Sequence, residues 1–269
     1  MPRLPRALPP ARLSLVLRPA SEPYPHFRDH AEAPFEPLAQ GFSRANAWWL
    51  SEAALLAYWP EPHVRATVEA LGFRSAWIRE DNTEGFVMTC ASAAIVAFRG
   101  TESSSPLDVL DDVRLGLEPW PAGGQVHAGF RTAAERVWAM TVALLGASTV
   151  PVFFTGHSLG AAIATLVADR FSSGYPGVPF GGLYTFGSPL VGDRTFVDGF
   201  NRRHHGRSHR VVNDRDGVTH VPPPQLGYRH VNDERFLGGD DVGGVLPETL
   251  IDHTPSRYAV LAWNALVAG

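Results

Sequence analysis

The sequence predicts an α/β fold in which a mostly parallel central sheet carries helices on both faces. Two observations point there. Strand-like and helix-like apolar patterns alternate through the second half of the 269 residues. The strands among them are short, continuous apolar runs, as expected of strands buried on both faces. No repeat and no second domain interrupts the pattern, and the length suffices for one large core. Apolar content of 45% with 19% charged residues is that of a globular chain.

Residues 1–37 are Pro-rich with little periodicity and are expected to form an irregular or loosely packed arm ahead of a single domain over 38–269. Arg3, Arg6 and Arg12 precede Leu13-Ser-Leu-Val-Leu17, a five-residue apolar stretch closed by Arg18. A secretory signal needs an apolar core of about 7–15 residues and a small-residue cleavage site, so a cytoplasmic location is expected. No stretch approaches the ~20 apolar residues of a membrane span. Residues 43–71 read as two helices around Trp59-Pro-Glu-Pro62, and 75–78, 86–91 and 93–98 as strands of a hairpin-rich sheet. A loop with a short helix follows over 100–124, then a long helix over 128–145. Beyond it come a strand at 182–186, a helix at 196–204, a strand at 210–213 and a closing helix over 255–267.

The most informative run is Val150 to Asp169, where a strand pattern meets a long helix pattern at Gly156-His157-Ser158-Leu159-Gly160. A Gly-x-Ser-x-Gly between strand and helix is the sequence of a nucleophile elbow, a sharp turn that presents its serine on strained backbone. Segments approach so closely there that glycine suits the positions two before and two after the serine. Free N–H groups and the positive end of the helix dipole lie beside the hydroxyl. A serine needs a base, and the base an orienting acid. Asp214 and Asp216 both follow the 210–213 strand, and sequence physics barely separates them. His220, His230 and His253 all come later. His220 is only four residues from Asp216, and His230 alternates with Tyr228 and Val231 in a strand-like run. His253, in a loop before the last helix, is freer to reach the elbow.

With these residues in view, the chain resembles the class 3 lipases, the fungal-lipase-like branch of the α/β-hydrolases. The resemblance covers roughly residues 43–267 and rests on four motifs in order. These are Phe98-Arg-Gly-Thr101, Val126-His-Ala-Gly-Phe130, Gly156-His-Ser-Leu-Gly160 and Tyr184-Thr-Phe-Gly-Ser-Pro189, with an acid-bearing segment, Arg210 to Pro223, after them. It implies an α/β-hydrolase fold with a short lid helix, Ser158 as nucleophile, Asp216 as acid and His253 as base. It further implies an oxyanion hole from Thr101 and the Leu159 N–H. The lid would start at Ser105-Pro-Leu-Asp108, with Leu107, Val109, Leu110 and Val113 as apolar residues. The implied activity is hydrolysis of carboxylic esters of lipids, of the triacylglycerol lipase kind, with no metal or organic cofactor. A phospholipase A1 or short-chain carboxylesterase is the alternative, and a non-catalytic lipase-like binding module the rival from another class.

Composition excludes other chemistry. All 23 basic residues are arginine, which rules out a lysine nucleophile or a lysine P-loop. A net charge of -4 does not suggest nucleic acid. Cys90 stands alone, so no intrachain disulfide is possible, and it reads as a small buried hydrophobe. The run Gly238-Gly-Asp-Asp-Val-Gly-Gly244 reads as a flexible loop rather than a calcium site. The basic cluster from Arg202 to Arg210 reads as a solvated face.

Overall fold

The structure, a computed structural model, describes residues 4–101, 116–146, 148–175, 177–213, 215–232, 234–237 and 248–269. The helix expected after Ser105, with Leu107, Val109, Leu110 and Val113, lies outside these residues, as do Asp214 and the 238–244 run.

Seven described strands form one sheet. They are β1 (Arg74–Glu80), β2 (Thr83–Thr89), β3 (Ala94–Phe98), β6 (Val152–His157), β7 (Phe180–Phe186), β8 (Ser208–Asn213) and β9 (Glu234–Leu237). They lie side by side in the order β1-β2-β3-β6-β7-β8-β9. The first two pairings are antiparallel. From β3 onward every pairing is parallel, so the chain must cross over a face between strands, which is where the helices go. A separate hairpin joins β4 (Leu117–Pro119) to β5 (Gln125–His127). β9 and this hairpin were not expected from the sequence. The strand-like run at Tyr228–Val231 is no strand: Arg229 makes only an isolated bridge to Gly192.

The pleat divides the core. Phe86, Met88, Ile95, Ala97, Phe153 and Phe186 face one side, and Val87, Val96, Phe98, Phe154 and Leu183 the other. The first side is covered by α2 (Arg44–Leu56) and, after the short α7 (Glu248–Asp252), by the closing helix α8 (Pro255–Val267), the second by α4 (Ala128–Leu145) and α5 (Leu159–Gly174). Ser43 caps α2 by accepting from the Asn46 N–H at 3.1 Å. Every residue of α2 after Arg44 is buried, so the helix is apolar nearly all round. α3 (Glu61–Ala70) packs on β1.

The N-terminal segment is irregular apart from a five-residue helix, α1 (Leu13–Leu17), and a single 3-10 turn at Pro19–Ser21, and it is anchored to the domain by side-chain contacts. Asn264 of α8 pairs with both backbone groups of Arg6, at 2.7 and 2.9 Å. The Arg6 guanidinium lies 4.1 Å over the Trp263 ring. Phe27 is buried in the core, and its N–H donates to the buried Glu52 carboxylate at 3.1 Å. Proline-rich backbone has few N–H groups to satisfy, so side chains of α2 and α8 anchor it instead of a ladder.

The basic cluster is likewise not all solvated. At the end of α6 (Arg194–Arg203), Arg203 Nη2 and His204 Nε2 reach the buried Asp169 of α5 at 2.8 and 3.0 Å. Trp120 Nε1 donates to the same carboxylate at 2.7 Å. A buried carboxylate needs such donors, and together they hold its proton affinity below the usual aspartate value despite burial.

The Val126-His-Ala-Gly-Phe130 motif caps α4. The His127 ring accepts from the Phe130 N–H at 3.4 Å and stacks on the Phe130 ring. Burial pushes its pKa, and that of His209, down from 6.5 to about 4. Unfolded, each ring protonates near 6.5; folded, only near 4. Between these values the unfolded chain binds more protons, so stability falls as pH drops through the window, by roughly 3 kcal/mol per histidine. The Tm of the protein is expected to fall steeply from pH 6.5 to 4, and less steeply in His209→Gln. A flat Tm across that window in the unaltered protein would contradict the burial argument.

Candidate active site

Parallel strands bring their C-terminal ends to one edge of the sheet, where α/β folds form their crevices. The ends of β3, β6, β7 and β8 meet there, and with them Thr101, Ser158, Gly187 and Asp216.

β6 ends at His157, and the chain turns into α5 through Ser158 at φ 58°, ψ −130°. This left-handed φ is uncommon for a residue with a side chain and marks local strain. The turn is held by the Ser158 N–H, which donates to the Phe186 carbonyl of β7 at 3.0 Å. A methyl at Gly156 would strike the Gly160 backbone, and one at Gly160 the Phe98 carbonyl. The two glycines of the motif are required because strand, helix and β3 approach backbone to backbone.

Asp216 follows β8 and is fully buried. Its Oδ1 accepts from the Val218 N–H at 2.9 Å. Its Oδ2 accepts from the Tyr258 hydroxyl at 2.6 Å. His253 Nδ1 lies 2.9 and 2.8 Å from the two oxygens. A carboxylate can only accept, so this assigns the imidazole proton to Nδ1. Among the described residues, Nε2 of His253 is buried without a hydrogen-bond partner, which leaves its lone pair directed away from Asp216. An imidazole so oriented can take a proton from a hydroxyl within its reach. Gly187 turns at φ +57°, and a methyl there would lie 2.6 Å from Asp216 Oδ2 and 3.0 Å from His253 Nδ1. The glycine of the Tyr184–Pro189 motif therefore leaves room for the pair.

The structure thus brings together Asp216 and His253 and leaves the other histidine candidates elsewhere. His220 is exposed, and His230 Nε2 donates to the Thr219 carbonyl at 2.6 Å. Thr101 is half-buried, and its hydroxyl has no partner among the described residues. Leu159 is the first residue of α5, where N–H groups lack a partner inside the helix.

Sequence reasoning missed Tyr258. Its hydroxyl accepts from the Asn213 N–H at 3.1 Å, so its own proton is directed to Asp216. Burial and the Asp216 charge push the phenol pKa well above 10, which keeps it a neutral donor. The only local signal was a tyrosine on the buried face of the helix that follows His253.

Comparison with known proteins agrees with this architecture. The sequence profile of the family described as Lipase (class 3) matches residues 95–226. The chain is similar to the secreted mono- and diacylglycerol lipase 1 of Fusarium solani, at 42% identity over 123 residues, 44% of this chain and 36% of that protein. It is also similar to the secreted mono- and diacylglycerol lipase 3 of Gibberella zeae, at 34% identity over 152 residues, 51% of this chain and 46% of that protein. The match spans less than half the length of either relative. Among solved structures, the lipase from Rhizopus microsporus var. chinensis superposes with a TM-score of 0.61 at 26% identity, over 73% of this chain and 76% of that one. The α/β-hydrolase fold and the class 3 lipase resemblance are both borne out.

Proposed function

We propose, on the premise that residues 95–226 match the class 3 lipases, that this chain hydrolyses carboxylic esters of acylglycerols through an acyl-enzyme. The observation that carries the reading is the buried Asp216–His253 pair, whose Nε2 has no partner among the described residues, at the same sheet edge as the strained Ser158 turn. In this reading Ser158 attacks the ester carbonyl while His253 Nε2 takes its proton, then returns it to the leaving alcohol. Asp216 holds the imidazole with its proton on Nδ1 and stabilises the cation. The N–H groups of Thr101 and Leu159 receive the oxyanion, each worth about 10²–10³ in rate. Water, activated by the same histidine, releases the acid.

Mono- and diacylglycerols are the first substrates to test, because the similar proteins are named for them. Those names also favour a secreted enzyme and lend nothing to the cytoplasmic location expected from the N-terminus. Among the described residues no helix is long and apolar enough to cross a membrane.

A fluorophosphonate is expected to label the protein. Hydrolysis is then measured on mono-, di- and triacylglycerol, phosphatidylcholine and a soluble butyrate ester. Preference for acylglycerols supports the proposal, and a rate jump above the solubility limit would add a working lid. Preference for phosphatidylcholine would make it a phospholipase A1, and activity confined to butyrate a short-chain esterase. Folded protein that neither labels nor hydrolyses, even with detergent micelles present, would favour a binding module.

A further inference from the structure

His157, the second residue of the Gly-x-Ser-x-Gly run, is buried and uses both ring nitrogens. Nε2 lies 2.7 Å from the backbone carbonyl of His253, 96 positions away. Nδ1 lies 2.8 Å from the hydroxyl of Tyr58, 99 positions away in the other direction. A carbonyl only accepts, so Nε2 carries the proton, and Nδ1 must accept from the tyrosine. Direction is therefore set along the whole chain of contacts, from Tyr58 to His157 to His253.

We propose that His157 and Tyr58 are positioning residues for His253: their hydrogen-bonded bridge holds the loop that carries His253 in register with the turn that carries Ser158. The inference rests on the reading of Ser158 and His253 as nucleophile and base. His157 is the immediate neighbour of Ser158, so the bridge ties the backbone that carries Ser158 directly to the backbone carbonyl of His253. Asp216 fixes where the imidazole points; the bridge fixes where its backbone sits. A methyl on Gly100 would strike the Tyr58 hydroxyl and come within 2.7 Å of the His157 carbonyl. The segment leading to Thr101 thus closes over the bridge, and three chain segments of the site share it.

A neutral side chain is needed for this task. The His157 and His253 rings lie 4.4 Å apart, tilted by 36°. A charge on His157 would oppose the imidazolium that His253 must become. Burial, and then the nearness of His253, push the His157 pKa well below its ordinary value, so the ring stays neutral while it binds.

Two variants of similar polarity separate bridging from mere filling of space. In His157→Gln the amide nitrogen stands where Nε2 stands and can still donate to the His253 carbonyl. In His157→Asn it stands near the Nδ1 position, meets Tyr58 and falls short of His253. On a soluble ester, His157→Gln is expected to keep kcat within about threefold. His157→Asn is expected to lose about tenfold or more in kcat with KM unchanged, and fluorophosphonate labelling should slow in parallel. A lost hydrogen bond or a small displacement of a reacting group has effects on that order. Tyr58→Phe, which removes one hydroxyl, provides a milder second variant and is expected to lower kcat about threefold. Equal kcat in the Gln and Asn variants, or unaltered kcat in a folded Tyr58→Phe, would overturn the bridge. Should His157→Asn fail to fold, Tyr58→Phe decides. Failure of the underlying reading would look different: full activity in His253→Asn removes the base itself, whatever His157 does.

Discussion

Replacing Ser158 by alanine is expected to remove roughly 10⁴–10⁶ of the turnover while the protein stays folded. The fold survives because the turn is held by backbone: the Ser158 N–H donates to the Phe186 carbonyl, and the Ser158 carbonyl accepts from the Ala161 N–H at 2.9 Å. Neither bond involves the hydroxyl. Alanine accepts the same backbone angles at a cost no greater than serine does, so Tm should change little. What disappears is the attacking oxygen, together with fluorophosphonate labelling. The residual rate over water reflects ester binding and the oxyanion donors. The measurement is kcat on a soluble ester beside a thermal melt of each protein. Hydrolysis retained above a few per cent in Ser158→Ala would exclude Ser158 as nucleophile.

The second large effect belongs to Asp216→Asn, expected to cost about 10⁴ in kcat, as in the Ser-His-Asp template. Asp216 receives the Val218 N–H, the Tyr258 hydroxyl and the His253 Nδ1 proton, and it donates nothing. Asparagine brings two donors of its own. Turned toward His253, its amide forces the imidazole proton to Nε2, and the ring can no longer accept from a serine. Turned toward Tyr258, it takes away the acceptor of that hydroxyl's proton, while the hydroxyl oxygen already accepts from the Asn213 N–H. Either way a buried donor loses its acceptor, so a stability loss of about 1–3 kcal/mol should accompany the kinetic one. Labelling by the fluorophosphonate should slow with kcat. A variant within tenfold of the unaltered enzyme would show that His253 needs no carboxylate.

Much of the scaffold was legible in the sequence because its signals are local. A strand pattern running through Gly156 and Gly160 into an apolar helix can satisfy sterics in few ways, and the turn at Ser158 is the one found. The long helix from Ala128 and the closing helix from Pro255 carry their periodicity within a few turns. β9 was not legible: Glu234-Arg-Phe-Leu237 is too short and too polar to read as a strand, and it exists because β8 offers a free edge. The packing of the N-terminal segment was equally hidden, since proline-rich composition predicts conformation and says nothing about which distant side chains will satisfy its carbonyls.

The site divides along the same line. Sequence alone determined the turn that carries Ser158, because the glycines and the two flanking elements are neighbours in the chain. It left Asp214 level with Asp216, which the family resemblance alone separated, and it favoured His253 over His220 and His230 only by its loop position before the last helix. Only the tertiary structure brought the His253 imidazole against the Asp216 carboxylate and the Tyr258 hydroxyl to the same oxygen. Only there does His157 reach the His253 carbonyl and Tyr58 the His157 ring. These contacts span 37 to 99 positions, and local pattern has no term for them. They follow from which faces of the sheet and helices must be buried together, a property of the whole chain.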